Sequence, residues 1–249
     1  MKRATRISCF ARRCMWELLR DPLTLFFGLA FPIILLLLMT LIQANIPVNL
    51  FEINKLAPGV AVFGQSFLTL FSAFLISRDR GTSFLARLCS TPMQASDFLC
   101  GYLLPLIPLA FIQEAAVYAV ALILGLSLNG AVIAALFVGL VPALLFIAFG
   151  LLFGTLLNDR QVGGVCGALM TNLSAWLSGI WFDVSLLGGV FGAVCRALPF
   201  YHAVEACRSV VNGQPDVGSH LLIVLAYSVV LMVLAVFVFA RRMKTGKIS

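Results

Sequence analysis

Residues 22–43 read PLTLFFGLAFPIILLLLMTLIQ, and none of these side chains is charged. A helix needs about 20 mostly apolar residues to cross the hydrocarbon core of a bilayer. Asp21 is an acceptable N-cap for this helix, and Pro22 suits its first position. The run is too long for the apolar core of a signal peptide, and no small-residue cleavage site follows a suitably short core. We therefore expect a permanent membrane span.

The composition extends this expectation to the whole chain of 249 residues. Hydrophobic residues make up 61% and charged residues 11%, with a mean hydropathy of +1.06. A soluble domain has roughly 45–50% apolar and about 25% charged residues, so a soluble enzyme and a disordered chain are both excluded. Five further runs can span a bilayer, and we expect a single all-α membrane domain with six transmembrane helices. These runs are 58–77, 99–126, 131–157, 163–182 (shorter and richer in Gly and Ser) and 220–240.

The distribution of Lys and Arg predicts the orientation. Fourteen of these 17 residues fall before the first run, between the second and third, between the fourth and fifth, or after the sixth. By the positive-inside rule these segments face the cytoplasm. We therefore expect a multi-pass protein of the inner (plasma) membrane with both termini cytoplasmic. The three positive residues on the other side are Lys55, Arg196 and Arg208.

The seven cysteines show neither paired spacing nor a nearby metal-binding pattern, so no metal site is expected. Four of them lie beside positive segments, which points to a reducing compartment. Cys195 and Cys207 fall in a segment predicted outside, where they either pair or remain as two free, small hydrophobic residues. The four on the positive side are Cys9, Cys14, Cys89 and Cys100.

Two further segments are too short or too polar to span. Residues 185–198 (SLLGGVFGAVCRAL) are mostly apolar, Pro199 interrupts them, and Gly213 closes a second short helical stretch. This pattern predicts a re-entrant helical hairpin over 185–212. Residues 4–20 form an amphipathic pattern typical of an interfacial helix, with a solvated basic tail as the alternative. Its predicted apolar face carries Ile7, Ala11, Cys14, Met15 and Leu18, and its polar face carries Arg6, Arg13, Glu17 and Arg20.

Several catalytic and nucleotide-binding patterns are missing from the sequence. There is no internal repeat of the kind on which many secondary transporters are built. A GxxxxGK[ST] loop is absent, so the chain does not bind ATP by that device. Neither HExxH nor GxSxG occurs, so the sequence lacks the catalytic motifs of a metalloprotease or a serine hydrolase.

Residues 77–92 read SRDRGTSFLARLCSTP and follow the second span. This loop resembles the charged-Gly-Thr…Leu…Thr-Pro signature of ABC-2-type permeases, the membrane subunits of ATP-binding-cassette exporters. Residues 17–23 (ELLRDPL), leading to Phe31-Pro32, are similar to the opening of that family. Residues 177–182 (LSGIWF) with 198–206 (LPFYHAVEA) are similar to its re-entrant segment, for which we single out Pro199, Tyr201, Glu205 and Arg208. Ser77 departs from the family, which often has Glu at that position.

The resemblance implies the type V exporter fold, a homodimer or a dimer with a similar permease, and two copies of a cytoplasmic ATPase subunit. It also implies that the loop forms a coupling helix over 82–91 that contacts the ATPase beside the amphipathic helix. The residues themselves favour a helix here, since Thr82 can cap it and Pro92 can stop it. We expect its apolar edge to need a partner, with resting on lipid headgroups as the alternative. The expected coupling residues are Asp79, Gly81, Thr82, Phe84, Leu85, Leu88 and Pro92.

Polar residues inside two of the spans form stripes at helical spacing. Uncharged polar groups within a membrane either line a path or hold helices together. Both interpretations stay open, and the absence of charge suits an amphipathic or hydrophobic cargo. Glycine pairs at 150/154 and 163/167 predict close helix packing. The stripe residues are Gln65, Thr69 and Ser72 in one span and Thr171, Ser174 and Ser178, with Asn172 alongside, in the other.

Glu114 is the only ionisable side chain deep within a predicted span, with Gln113 beside it and Tyr118 one turn on. It either handles protons or a cationic cargo, or it is a buried, protonated side chain bonded to a neighbouring helix. A secondary transporter needs carboxylates that bind its coupling ions, and Glu114 is the only candidate. A membrane-embedded enzyme needs at least two catalytic groups at one depth, for which Glu114 and Tyr118 are a poor pair.

We therefore expect an exporter permease that moves drug-like, antibiotic, peptide or lipid-like cargo out of the cytoplasm. Export of lipid-linked polysaccharide is the alternative within the family. The chain is expected to have no enzyme activity and no cofactor of its own, with ATP and Mg bound by the partner subunit.

Overall fold

The computed structural model describes residues 3–47, 51–88, 91, 93–182, 184 and 188–245. Throughout these residues the regular secondary structure is helical, and no strand occurs among them. The expected all-helical membrane class is confirmed.

Five helices are long and apolar enough to cross a membrane. Their ends differ from those of five predicted spans by five residues or fewer. The helix α3 (Ile53–Gly81) forms the centre of the bundle. Of its most apolar 18-residue stretch 83% is buried, whereas the share is 17% for α2 (Pro22–Ala44) and for α10 (Val217–Lys244). The five are α2 (Pro22–Ala44), α3 (Ile53–Gly81), α5 (Ala95–Ile123), α6 (Gly130–Leu156) and α10 (Val217–Lys244).

The remaining helices flank these five. The amphipathic segment forms α1 (Arg3–Arg20), and the loop after α3 forms α4 (Ser83–Leu88). The sixth predicted span coincides with α7, which comprises Asp159–Val162, Gly163–Met170 and Thr171–Leu177 and ends five residues early. It is not among the five long apolar helices, so its crossing stays a prediction. Two short helices, α8 (Gly189–Ala197) and α9 (Pro199–Val211), occupy the segment predicted as a hairpin.

The ends of α3, α6 and α10 meet on one side of the bundle. Arg80 donates hydrogen bonds to the carbonyl oxygens of Gly154 and Leu157, at 2.9 and 3.0 Å. Arg242 donates to the carbonyl oxygen of Thr155 at 2.7 Å. Guanidinium groups at a helix C-terminus satisfy its unpaired carbonyls and complement its dipole. The positive residues in the last turns of α3 and α10 therefore share one end of the molecule.

The helix α7 extends from this end to the opposite end. At its start, Asp159 accepts a hydrogen bond from Ser77 near the C-terminus of α3. Just beyond its last residue, the carbonyl oxygen of Ile180 accepts from Arg208, which also donates to that of Lys55 near the start of α3. Residues 55–77 of α3 extend about 33 Å at 1.5 Å per residue. Residues 159–180 therefore run alongside almost the whole length of the central helix.

Glycines allow α6 to approach α3 closely. A Cβ added at Gly150 would lie 2.3 Å from the carbonyl oxygen of Thr69, and one added at Gly154 would lie 2.6 Å from that of Ala73. The packing role predicted for this pair agrees with these distances. The other pair differs, because a Cβ at Gly163 would meet nothing within 4 Å.

We predict that Gly154→Ala lowers the free energy of unfolding by about 1–3 kcal/mol, because the new methyl group forces two helix backbones apart. The measurement is the unfolding midpoint of the purified protein in detergent. Gly164→Ala is the matched control, since nothing lies within 4 Å of the added atom and Ala favours the helix. Equal midpoints for the two variants would contradict the close α3–α6 contact.

Candidate functional site

A buried carboxylate joins three helices at the end of the bundle where the positive residues lie. Asp79, in the last turn of α3, is 2% exposed. Arg13 of α1 binds it with both Nη atoms, the Nη2–Oδ1 distance being 2.6 Å. The hydroxyl of Tyr102 in α5 donates to Oδ2 at 2.8 Å. A two-pronged guanidinium–carboxylate contact is strong and geometrically specific. We call Asp79, Arg13 and Tyr102 the Asp79 network.

Arg13 also connects this network to the neighbouring elements. Its Nη2 lies 2.9 Å from Glu17 Oε2, and its guanidinium lies 4.4 Å from the centre of the Phe84 ring in α4. Burial opposes the charge of Arg13, but the hydrogen bonds and charge of Asp79 outweigh burial and raise its pKa. Arg13 is therefore charged at neutral pH.

The predicted apolar face of α1 is largely the buried one, but its predicted polar face is not wholly exposed. Arg13 and Glu17, assigned to the polar face, are half-buried and turned toward the protein. The buried side chains are Phe10, Ala11, Cys14 and Leu18, whereas Ile7 and Met15 are only partly covered. Ala11, Cys14 and Leu18 are thus buried as predicted, and the helix is turned only slightly toward the side of Arg13, which binds Asp79, 66 residues away in sequence.

The start of α5 holds the first turns of α1. Arg3 Nη2 lies 2.6 Å from Oδ1 of Asp97, a residue that also accepts from the backbone NH of Gln94 and so caps α5. The ring of Phe10 packs edge-on against Tyr102 at 4.9 Å. A Cβ at Gly101 would lie 2.3 Å from Phe10, so glycine makes room for this ring. Sequence reasoning missed Arg13, Tyr102 and Asp97 as contact residues; the Gln94–Asp97 capping spacing is the one local signal.

The loop helix α4 differs from the expected coupling helix in length and in burial. It has six residues, and Thr82 Oγ1 accepts from the backbone NH of Phe84 at 3.4 Å, as expected of a cap. The expectation that the apolar edge needs a partner outside the chain is wrong for Leu85, which is 0% exposed in the main core. Phe84 and Leu88 are partly buried against the same core.

The outer surface of this loop is therefore mostly polar. Gly81, Thr82 and Arg87 are exposed, and the partly covered rings and methyl groups of Phe84 and Leu88 lie between them and the core. Pro92, the expected helix stop, and Cys89 lie outside the described residues.

The first polar stripe lies in the contact between α3 and α6. Gln65 donates to the carbonyl oxygen of Gly139 at 3.0 Å, and Thr69 donates to that of Phe146 at 3.0 Å. Ser72 bonds to Leu68 of its own helix. All three stripe residues are 0 % exposed. This geometry agrees with the alternative in which the stripe holds two helices together. That the stripe lines a path in another conformation stays a prediction.

The second stripe bonds within its own helix. Thr171 donates to the carbonyl oxygen of Gly167, Ser174 to that of Thr171 at 2.9 Å, and Ser178 to that of Ala175 at 3.2 Å. These three residues are buried. Asn172 alone lies on the exposed side of α7, where it donates to the carbonyl oxygen of Ala168 at 2.7 Å.

Glu114 is fully buried and bonded to a neighbouring helix, which agrees with its interpretation as a structural side chain rather than one that handles protons or cargo. Gln65 donates to its Oε2 at 3.2 Å. Gly139 makes room for it, because a Cβ there would lie 1.8 Å from Glu114 Oε1. Among the described residues, Glu114 Oε1, the Tyr118 hydroxyl and both amide atoms of Gln113 are buried without a hydrogen-bond partner.

At the opposite end of the bundle, Arg208 fastens α9 to the start of α3. This guanidinium donates to Glu205 at 3.0 Å and to the carbonyl oxygen of Lys55 at 3.1 Å. Pro199 is buried at the first position of α9, and the Tyr201 ring packs edge-on against two histidine rings. Cys195 and Cys207 are both buried and free. In the described part of the chain, no three His, Cys, Asp or Glu side chains are grouped to hold a metal.

Comparison with known families identifies the class of protein. The chain matches the family described as ABC-2 type transporter over residues 5–212, and it belongs to that family. No curated protein sequence matches it significantly. The chain is therefore the permease component of an ABC transporter and an integral membrane protein, and its family implies partnership with an ABC ATPase subunit.

The burial of Cys14 makes the position of α1 testable. Burial raises the pKa of the Cys14 thiol to about 12, whereas Cys9, five residues earlier, is exposed. Since the thiolate is the reactive form, we predict that maleimide labels a variant keeping only Cys9 at least 100-fold faster at pH 7 than one keeping only Cys14. The rate for Cys14 should rise about tenfold per pH unit. Comparable rates in the folded protein would show that α1 does not pack on α5.

Proposed function

We propose that this chain is the permease of an ATP-driven exporter that moves drug-like, antibiotic, peptide or lipid-like cargo out of the cytoplasm. The observation that carries the proposal is the Asp79 network, which fastens α1 and the loop helix α4 to α3 and α5. A surface of this kind, held rigidly on two spans, suits the transfer of motion from a soluble subunit.

The proposed topology has six spans in the plasma membrane, both termini in the cytoplasm, and α8–α9 as a re-entrant hairpin. The 14-to-3 division of Lys and Arg supports the orientation. The meeting of Arg80 and Arg242 at the end of α6 supports one shared cytoplasmic end. The course of α7 from Ser77 to Arg208 supports it as the sixth span.

The ATPase would contact the exposed sides of α1 and α4. Gly81, Thr82 and Arg87 offer polar contacts there, and the uncovered parts of Phe84 and Leu88 offer apolar ones. Two ATPase copies serve a homodimer of this chain. ATP and Mg bind in those subunits, and this chain contributes neither a catalytic group nor a cofactor.

The proposed mechanism transfers ATPase closure through the Asp79 network. Movement of α1 and α4 shifts Asp79 and Tyr102 together, because separating them from Arg13 would leave a buried charge unpaired. The cytoplasmic ends of α3 and α5 therefore move with the ATPase and open a path between two copies. Asn172, on the exposed side of α7, faces that path. The residues of the two polar stripes (Gln65, Thr69 and Ser72; Thr171, Ser174 and Ser178) line this path only if their hydrogen bonds to backbone carbonyl oxygens break.

We predict that Phe84→Ala with Leu88→Ala weakens binding of the cognate ATPase more than tenfold, which is about 1.4 kcal/mol. Both side chains are partly exposed, so truncation removes area that the ATPase can contact; since both also pack against the main core, the unfolding midpoint is measured alongside the affinity. Affinity is measured between the purified permease in nanodiscs and the separately purified ATPase, and ATP-dependent transport in liposomes should fall with it.

Two further variants serve as controls for this measurement. Leu128→Ala removes a 74% exposed leucine from the connection between α5 and α6 and should leave ATPase affinity unchanged. Leu85→Ala opens a cavity in the core and should lower the unfolding midpoint. Wild-type ATPase affinity and transport in the double variant would mean that α4 is not the coupling element.

A further inference from the structure

An open groove lies at the elbow between α1 and α2. It has a volume of about 720 Å³ and combines aromatic, basic and acidic side chains. The C-terminal end of α3 closes one of its sides by contributing Arg78. The lining residues are Arg13, Trp16, Glu17, Arg20, Asp21, Pro22 and Arg78.

The carboxylates in this groove are already engaged. Glu17 pairs with Arg13, which is also held by Asp79. Asp21 accepts hydrogen bonds from the backbone NH of Leu23 at 3.1 Å and from the Thr24 hydroxyl at 3.2 Å, so it caps α2. Its capacity to neutralise a further cation is therefore limited.

Two arginines consequently carry positive charge that these carboxylates do not fully neutralise. Arg20 has no carboxylate partner among the described residues, and its guanidinium lies 5.7 Å from the centre of the Trp16 ring. Arg78 is 42% exposed and lies 3.4 Å from Asp21 at its nearest approach. A guanidinium presents a planar set of donors that matches the oxygens of a phosphodiester.

The groove also lies at the level of a membrane surface. The span α2 begins at Pro22, directly at the groove. Trp16 and Leu19, one turn apart on α1, are 51% and 45% exposed, and Leu23 in the first turn of α2 is 64% exposed. Tryptophan is enriched at the membrane–water interface. Basic pockets at the cytoplasmic ends of spans are suited to anionic phospholipid headgroups.

We propose that this groove binds the headgroup of an anionic phospholipid, whose phosphodiester is held between Arg20 and Arg78. Its acyl chains lie along Trp16, Leu19 and Leu23. The lipid fastens the elbow between the interfacial helix and the first span. This inference requires only that α2 spans the membrane, and it stands or falls independently of export and of ATPase binding.

The test compares phosphatidylglycerol retention by the purified permease without its ATPase. Arg20→Gln with Arg78→Gln should lose at least one tightly bound phosphatidylglycerol, counted by native mass spectrometry, with a tenfold weaker affinity. Arg12→Gln with Arg241→Gln is the matched control, because it removes two exposed positive charges elsewhere and should retain the lipid. Arg20→Gln alone keeps the test valid if the double variant does not fold, since Arg20 makes no ion pair among the described residues.

Three outcomes would overturn the proposal. Equal retention by both double variants would mean that the groove is not the lipid site. Displacement of the lipid by inorganic phosphate or by glycerol 3-phosphate at equal concentration would assign the groove to a free anion. Unchanged lipid retention together with a loss of ATPase affinity would assign it to the protein partner. Phosphatidylcholine should show no dependence on Arg20 and Arg78.

Discussion

The carboxylate of Asp79 imposes the constraint on which the rest of this end of the bundle depends. A charge that is 2% exposed is costly unless a partner neutralises it. Arg13 supplies that partner from a helix outside the spans, and Tyr102 supplies a hydrogen bond from the third helix. The position and rotation of α1 follow from this requirement. The loop helix α4 follows in turn, because Phe84 packs under the Arg13 guanidinium.

A second constraint acts within the bundle, where polar groups have no water with which to bond. Gln65 and Thr69 satisfy this requirement with carbonyl oxygens of α6, and Gly150 and Gly154 let the two helices approach closely enough. The C-terminal end of α6 is then capped by arginines from α3 and α10. The helices that adjoin Asp79 are thus closely packed, and the proposed transfer of motion relies on this packing.

The sequence predicts those features that depend on local composition. The five long helices follow from apolar runs, and the break between α8 and α9 follows from Pro199. It does not predict the rotation of α1, since the partner of Arg13 lies 66 residues away. It also misses the burial of Leu85, because six residues of α4 fold back onto a core that no local pattern reveals. The sequence shows the polar stripe at Gln65 and Thr69, but its partners on α6 are identified only by the fold.

Transmission through Asp79 is tested most directly by an accessibility measurement that needs no known cargo. The complex with its ATPase carries a single cysteine, Asn172→Cys, and is labelled with and without ATP and vanadate. If Asp79 transmits the motion, ATP changes the labelling rate several-fold. The Asp79→Asn variant loses this change although ATP hydrolysis continues. The Asp216→Asn variant, in which an exposed carboxylate is replaced, keeps it. The same ATP-dependent change in Asp79→Asn as in the parent protein would contradict transmission through Asp79.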